Sequence, residues 1–220
     1  AHEGISEAEP ILLQWGRHAG GDEQTAICQA LGAVGSKASS RYLRSHSLPD
    51  YMVLLQHLPD KEAVKAAKGL LKNENSGIRC AAVKTVIERS AQNPKRVVDA
   101  LKTGDRPYRN AALSAAEKYN PETLAKALEK GYATLSDEAK MDVLNWLGVK
   151  KVTSALPLVS GSIRAPGELG ETALRTLGIL GGADAAEALV ASLAGDKADA
   201  AFAALSTFEG DVTDAVVKAF

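Results

Sequence analysis

One phrase constrains this chain more than any other: Ala173-Leu174-Arg175-Thr176-Leu177-Gly178-Ile179-Leu180-Gly181-Gly182, followed at once by Asp184 to Leu193. It reads as two short apolar-faced helices joined by a glycine turn, and the chain repeats it. Leu174 has counterparts at Val83, Leu113, Leu144 and Leu205, at intervals of 30 or 31 residues. So steady a period is the signature of a stacked array. A single helical pair buries only part of its apolar surface, so each unit must lean on the next.

The spacing predicts a helix over Ser6 to Arg17 and then pairs in order. These are Gln24 to Val34 with Lys37 to Arg44, Asp50 to Leu58 with Lys61 to Lys72, and Ile78 to Ala91 with Pro94 to Lys102. Pro107 to Tyr119 follows with Pro121 to Lys130, and Asp137 to Leu147 with Val152 to Val159. Glu168 to Leu180 pairs with Asp184 to Leu193, and Lys197 to Phe208 with Asp211 to Phe220. Apolar residues recur three and four apart, as in Val83, Val86 and Ile87 or Leu124 and Leu128, which is the stripe of a half-buried helix. Asn93-Pro94 and Asn120-Pro121 read as caps followed by a first-turn proline. Asp184 and Asp211 are expected to cap in the same way.

With 220 residues, 45% hydrophobic and 24% charged, the chain can bury a sizeable core. Aromatics make up only 5%, and alanine and leucine supply the apolar surface, which favours closely packed helices. No apolar run approaches the roughly 20 residues that span a bilayer. The chain is therefore expected to be soluble, either cytoplasmic or exported after loss of a signal, since no initiator Met is present. Cys28 and Cys80 lie about two repeats apart, roughly 20 Å. That is well beyond the ~7 Å limit between α-carbons for a disulfide, so both read as small apolar residues.

The units resemble HEAT repeats, in particular the short HEAT-like repeats of about 30 residues known from bacteria. The match runs from Gln24 to Phe220 and is best from Ile78 onward, through Ile78-Arg79-Cys80-Ala81-Ala82-Val83, Tyr108-Arg109-Asn110-Ala111-Ala112-Leu113 and the Leu-Gly-Ile-Leu-Gly stretch. The resemblance implies an all-α, right-handed superhelix of about seven helical pairs. Residues 1–23 would form an N-terminal cap segment and residues 24–220 the repeat domain. It also implies that the second helices line the concave face. Pro59, standing where a glycine turn is expected, departs from the pattern, as does a shorter local spacing.

Enzymatic signals are sparse. The histidines are His2, His18, His46 and His57, and only His2-Glu3 forms a His-Glu pair. HEAT-like hydroxylases that bind iron carry several such pairs, so no metal site, catalytic residue or cofactor is expected. The glycines at 178, 181 and 182 follow a helix and have no lysine partner, so they read as turn glycines and not as a phosphate loop.

Charge says more. From Lys61 to Arg109 there are 12 Lys/Arg against 5 Asp/Glu, a local balance of +7 within a net charge of −1, while Asp184 to Asp214 stands at −6. By resemblance Lys65, Lys68, Lys72, Arg96, Lys102 and Lys126 would be offered to a partner. Trp146, large where the other repeats carry Thr85, Ala115, Thr176 and Thr207, would either fill a gap or join that contact surface. The gap would lie beneath the Ser160 to Gly170 loop, which reads as the longest break in the array. Arg79, Arg109 and Lys140 recur with the same beat and read as acid-to-base links between repeats, with an anion ladder as the alternative.

Three readings of the basic stretch stay open: a solvated face, a site for an acidic protein surface, and nucleic acid, which the scarcity of aromatics disfavours. The expectation is a non-catalytic protein-binding scaffold, a segment of a larger multidomain protein. An apolar C-terminal face at Val216, Val217 and Phe220 would be open to end-to-end contact. The alternative is a HEAT-like enzyme, of lyase or DNA-alkylation-repair type, with its site in the concave groove.

Overall fold

The computed structural model describes residues 3–91 and 93–219; His2 and Phe220, both weighed above, lie outside them. The fold is all-α: fifteen α-helices and three short 3-10 segments, with no strand among the described residues. None of the helices is long and apolar enough to cross a membrane. The chain divides into two compact units, Ala1–Asn93 and Pro94–Phe220, so the expected boundary at residue 23 falls inside the first.

The first unit holds α1 (Glu3–Trp15), α2 (Gly21–Val34), α3 (Ser40–His46), α4 (Leu48–Leu54), α5 (Asp60–Lys68) and α6 (Ser76–Arg89). The first helices of successive pairs pack on one another, α2 on α4 and α4 on α6, which is solenoid order. Gly32 makes the first of these approaches close, because a Cβ there would lie 2.8 Å from the Asp50 carbonyl oxygen. Leu31, Leu43, Leu54, Leu55, Ala63 and Ala67 form the fully buried centre.

Two polar devices bind this unit together. Arg89, at the end of α6, donates to the carbonyls of Leu55 (3.3 Å), Gln56 (2.6 Å) and Leu58 (2.6 Å) and pairs with Asp60. One guanidinium thus satisfies carbonyls just past the end of α4, which no helical amide can reach. Glu9 of α1 is buried and accepts from the Ser36 amide (2.7 Å), the Ser39 amide (3.1 Å) and the Ser39 hydroxyl (2.5 Å). Burial works to raise its pKa, but these donors outweigh it and hold the carboxyl below its usual range.

The second unit holds α7 (Pro94–Leu101), α8 (Arg106–Ala115), α9 (Pro121–Tyr132), α10 (Asp137–Val149), α11 (Leu156–Ser162), α12 (Gly167–Leu180), α13 (Ala183–Ser192), α14 (Ala198–Ser206) and α15 (Thr213–Ala219). Its order is the same. First helices run α8, α10, α12, α14 and second helices α7, α9, α11, α13, α15; α10 packs on α12, α12 on α14, α7 on α9, α11 on α13 and α13 on α15. Leu144 and Leu174, on the repeat beat, are fully buried. Gly181 and Gly182 have φ of +71° and +89°, the left-handed backbone that the turn demands.

Side-chain caps follow the same beat. Asn75, Asp105 and Ser136 each accept from the amide three residues on, at the starts of α6, α8 and α10. Asn120 caps α9 as expected, and Asp211 accepts from the Thr213 amide. Asp184 does not cap: α13 starts at Ala183 behind Gly182, which places Asp184 in the first turn.

Three further expectations change. Helix α5 stops at Lys68 before Gly69, which leaves Lys72 in a turn. Ser160 to Gly170 is not a long break, since α11 reaches Ser162 and α12 begins at Gly167. The acid-to-base links are only partly present. Arg109 reaches Asp142 of the next repeat (Nε to Oδ2, 2.7 Å) and donates to the Thr103 carbonyl (3.0 Å), whereas Lys140 pairs with Asp137 within α10 and Asp105 caps α8.

Two outcomes are expected. Arg109 and Asp142 are both almost fully buried, and the exposed Arg106 lies 3.6 Å from the other Asp142 oxygen, so Arg109→Met leaves the carboxylate with that one weaker partner and should cost about 3 kcal/mol. The double variant Arg109→Met, Asp142→Leu should recover most of that in urea unfolding. Glu9→Gln should lower the unfolding midpoint at pH 7. Because the folded-state pKa of Glu9 is depressed, its contribution is complete above the unfolded value of about 4.3 and fades as pH falls through the lower folded value. The gap between the two proteins should therefore stay constant from pH 6 to 8 and close in acid.

Candidate functional site

In the first unit the second helices α3 and α5 leave a cleft between them. Its walls come from the 3-10 turn Lys37–Ser39, from α3 and from α5, and its floor is Tyr51 of α4. The cavity measures about 540 Å³, and a shallower lobe of about 330 Å³ shares Ser40, Arg44 and Tyr51 with it. Ala66 and Gly69 keep the α5 side low; a Cβ at Gly69 would stand 4.0 Å from Arg44 Nη2, so the guanidinium lies over the end of α5.

Four cations line the cleft: Lys37, Arg44, Lys61 and Lys65. The one carboxylate there, Glu62, is engaged by Lys37 at 2.8 Å. Arg44, Lys61 and Lys65 make no ion pair with any described residue, so the lining carries a local excess of three positive charges. Tyr51 is only 4% exposed, yet its hydroxyl makes no hydrogen bond to a described residue. Burial pushes its pKa up, against the opposing pull of Arg44. A tyrosine bears its proton at neutral pH in any case, so Tyr51 stands as a hydrogen-bond donor on the cleft floor.

At the rim Ser45 Oγ lies 2.9 Å from His46 Nδ1, the distance of a nucleophile–base pair. The same nitrogen is 2.8 Å from the Tyr42 carbonyl, which can only accept. Nδ1 must then carry the proton, and it cannot take one from Ser45. His46 also stacks on Tyr42, ring centroids 4.2 Å apart, which fixes it as a structural group. His18 and His57 are exposed. Among the described residues no three His, Cys, Asp or Glu side chains gather as metal ligands.

Of the residues expected to meet a partner, Lys65 alone lines this cleft. Lys68 is exposed at the last turn of α5, and Lys72 lies beyond it, so the three lysines do not share one helical face. Arg96, Lys102 and Lys126 belong to the second unit. Arg96 is half-buried on α7, Lys102 pairs with Asp99 at 3.0 Å, and Lys126 borders a small hollow of about 80 Å³ beside Glu129 and Ser154. Trp146 is buried and offers no contact surface, which corrects its place among the partner-binding residues. Its siblings Thr85 and Thr176 turn their hydroxyls back to the carbonyls of Ala81 and Thr172; the Trp146 indole N–H finds no partner among the described residues.

Arg44, Lys61 and Tyr51 were not anticipated. Arg44 and Lys61 lie on different helices, and only the stacking of α3 and α5 above α4 brings them to one opening.

No protein-family model matches the chain, and no curated protein sequence matches it. The solved structure of human deoxyhypusine hydroxylase in complex with glycerol is similar in fold: it covers 93% of this chain and 85% of that one, at 15% identity and a TM-score of 0.47. That likeness is one of helical-repeat form. The expectation of a non-catalytic scaffold does not stand beside this finding, since that structure is named as a hydroxylase; the name is said of that protein alone.

Trp146→Phe should cost less than about 2 kcal/mol, because the cavity left by the lost five-membered ring is partly offset by removal of an unpaired buried donor. Trp146→Ala should cost about 3–5 kcal/mol. Urea unfolding of the two variants checks both.

Proposed function

We propose that this chain is an enzyme of helical-repeat form that acts on a small anionic substrate held in the basic cleft of the first unit. The observation that carries the proposal is that Arg44, Lys61 and Lys65, none with an ion-pair partner among the described residues, line one cleft together with Tyr51, a residue only 4% exposed whose accessible hydroxyl has no hydrogen-bond partner among the described residues. Like charges packed together weaken a fold by mutual repulsion, and an anion would relieve that repulsion. The cavity lies within the usual range of small-molecule sites. Its one aromatic side chain, Tyr51, sets it apart from pockets that stack a flipped nucleobase between flat groups.

The roles divide by chemistry. Arg44 offers a planar fork and Lys61 and Lys65 mobile point charges, so the three together neutralise and orient the anion. Tyr51 bears its proton at neutral pH, as an ordinary tyrosine does, and donates a hydrogen bond to the bound molecule.

In a screen of small phosphate and carboxylate compounds, followed by calorimetry and by mass spectrometry for product, at least one compound should bind and be converted. Lys61→Glu together with Lys65→Glu should weaken binding at least ten-fold. Tyr51→Phe should cut turnover at least ten-fold while changing binding only a few-fold. Binding and turnover indifferent to all three changes would remove the cleft as the site.

A further inference from the structure

Resting on that reading of the cleft, we infer that its substrate carries a phosphomonoester and that the cations are arranged for a dianion. Once Lys37 and Glu62 have cancelled each other at 2.8 Å, three positive charges remain: Arg44, Lys61 and Lys65. A carboxylate brings one negative charge and two acceptor oxygens, which leaves two of the three uncompensated. A phosphomonoester carries about −1.5 to −2 at neutral pH and presents three strong acceptor oxygens. It meets the charge more closely and has an oxygen to spare for the Tyr51 hydroxyl.

The donors on the page are of the matching kind. Arg44 supplies a bidentate fork and the lysines supply point charges, the usual division of labour around phosphate. Tyr51 is 4% exposed, lines both lobes of the cavity and has no hydrogen-bond partner among the described residues, so its accessible hydroxyl can donate to an anion that enters. Ser40 also lines both lobes.

Volume separates an organic ester from a bare ion. At about 540 Å³ the main cavity has room for a substituent beyond the phosphate, and Leu58 and Ala66 give that part of the lining an apolar character. A recess of this size between two helices suits a soluble molecule that enters whole. A phosphate anchored in a bilayer would have to be reached by an exposed surface instead.

The test compares matched ligands that differ only in the anion: phenyl phosphate with benzoate, and glycerol phosphate with glycerate, by calorimetry on the full chain. The phosphate member of each pair should bind at least ten-fold more tightly at pH 7.5. That advantage should shrink several-fold at pH 5, below the second phosphate pKa of about 6. Inorganic phosphate should bind more weakly than phenyl phosphate. Arg44→Gln and Lys65→Gln, both at exposed positions where folding is not at stake, should each remove most of the phosphate advantage. Phosphatidic acid vesicles should not carry the protein down on sedimentation.

Equal binding of phosphate and carboxylate, lost together in the variants, would overturn the phosphate assignment and leave the anion site standing. Binding of vesicles alone would overturn it in favour of a lipid headgroup. No binding of either anion, or binding unaffected by Arg44→Gln and Lys65→Gln, would overturn the assignment and the site together.

Discussion

Helices of seven to fourteen residues are marginal in water on their own, and two of them side by side still leave apolar surface on both flanks. In each unit the next pair closes that surface. Leu31, Leu144, Leu174 and Leu177 are therefore sealed, while Leu205, in the last pair of the described row, is half-buried and Val216 and Val217 are exposed. Close approach of first helices tightens the seal. A Cβ at Gly178 would sit 3.0 Å from the Ala204 carbonyl oxygen, much as Gly32 makes room for Asp50. Arg89 and Arg109 add polar ties between neighbouring repeats in their respective units, the first to backbone carbonyls and the second to a buried carboxylate.

The cleft is where neighbour-on-neighbour closure relaxes. Helix α3 is only seven residues long and starts from a 3-10 turn, and α5 ends early at Gly69. The opening between them is then lined with unbalanced positive charge and floored by the nearly buried Tyr51. Nothing in the packing of the unit requires that combination. Local rules broken without structural gain are what functional sites look like in an otherwise self-consistent fold.

Much of the architecture could be read directly from the chain, because a 30- or 31-residue beat places Val83, Leu113, Leu144 and Leu174 at equivalent buried positions. The glycine turn at Gly181 and Gly182 was legible for the same reason: only a residue without a Cβ takes that backbone conformation easily. The caps Asn75, Asp105 and Ser136 keep the same beat and could have been found by it. Gly69 likewise held the signal that α5 stops before Lys72, since glycine commonly follows a helix end. The cleft was a different matter. Lys65 was singled out for its place on a basic helix, but Arg44, Lys61 and Tyr51 meet only through the stacking of three helices, and no spacing within one helix encodes that. Trp146 was ambiguous between core and surface because its siblings are small, and its burial depends on neighbours that register alone does not specify.

The carboxylate of Glu9 has a bearing on how the protein can be divided. It holds the turn at Ser36 and Ser39, which leads into the helix bearing Arg44, so α1 acts as a brace for one wall of the cleft. A fragment begun at Gln24, where the repeats become recognisable, would lack that brace. It would leave two amides and a hydroxyl to find water, and the basic wall would be free to drift from its partner helix.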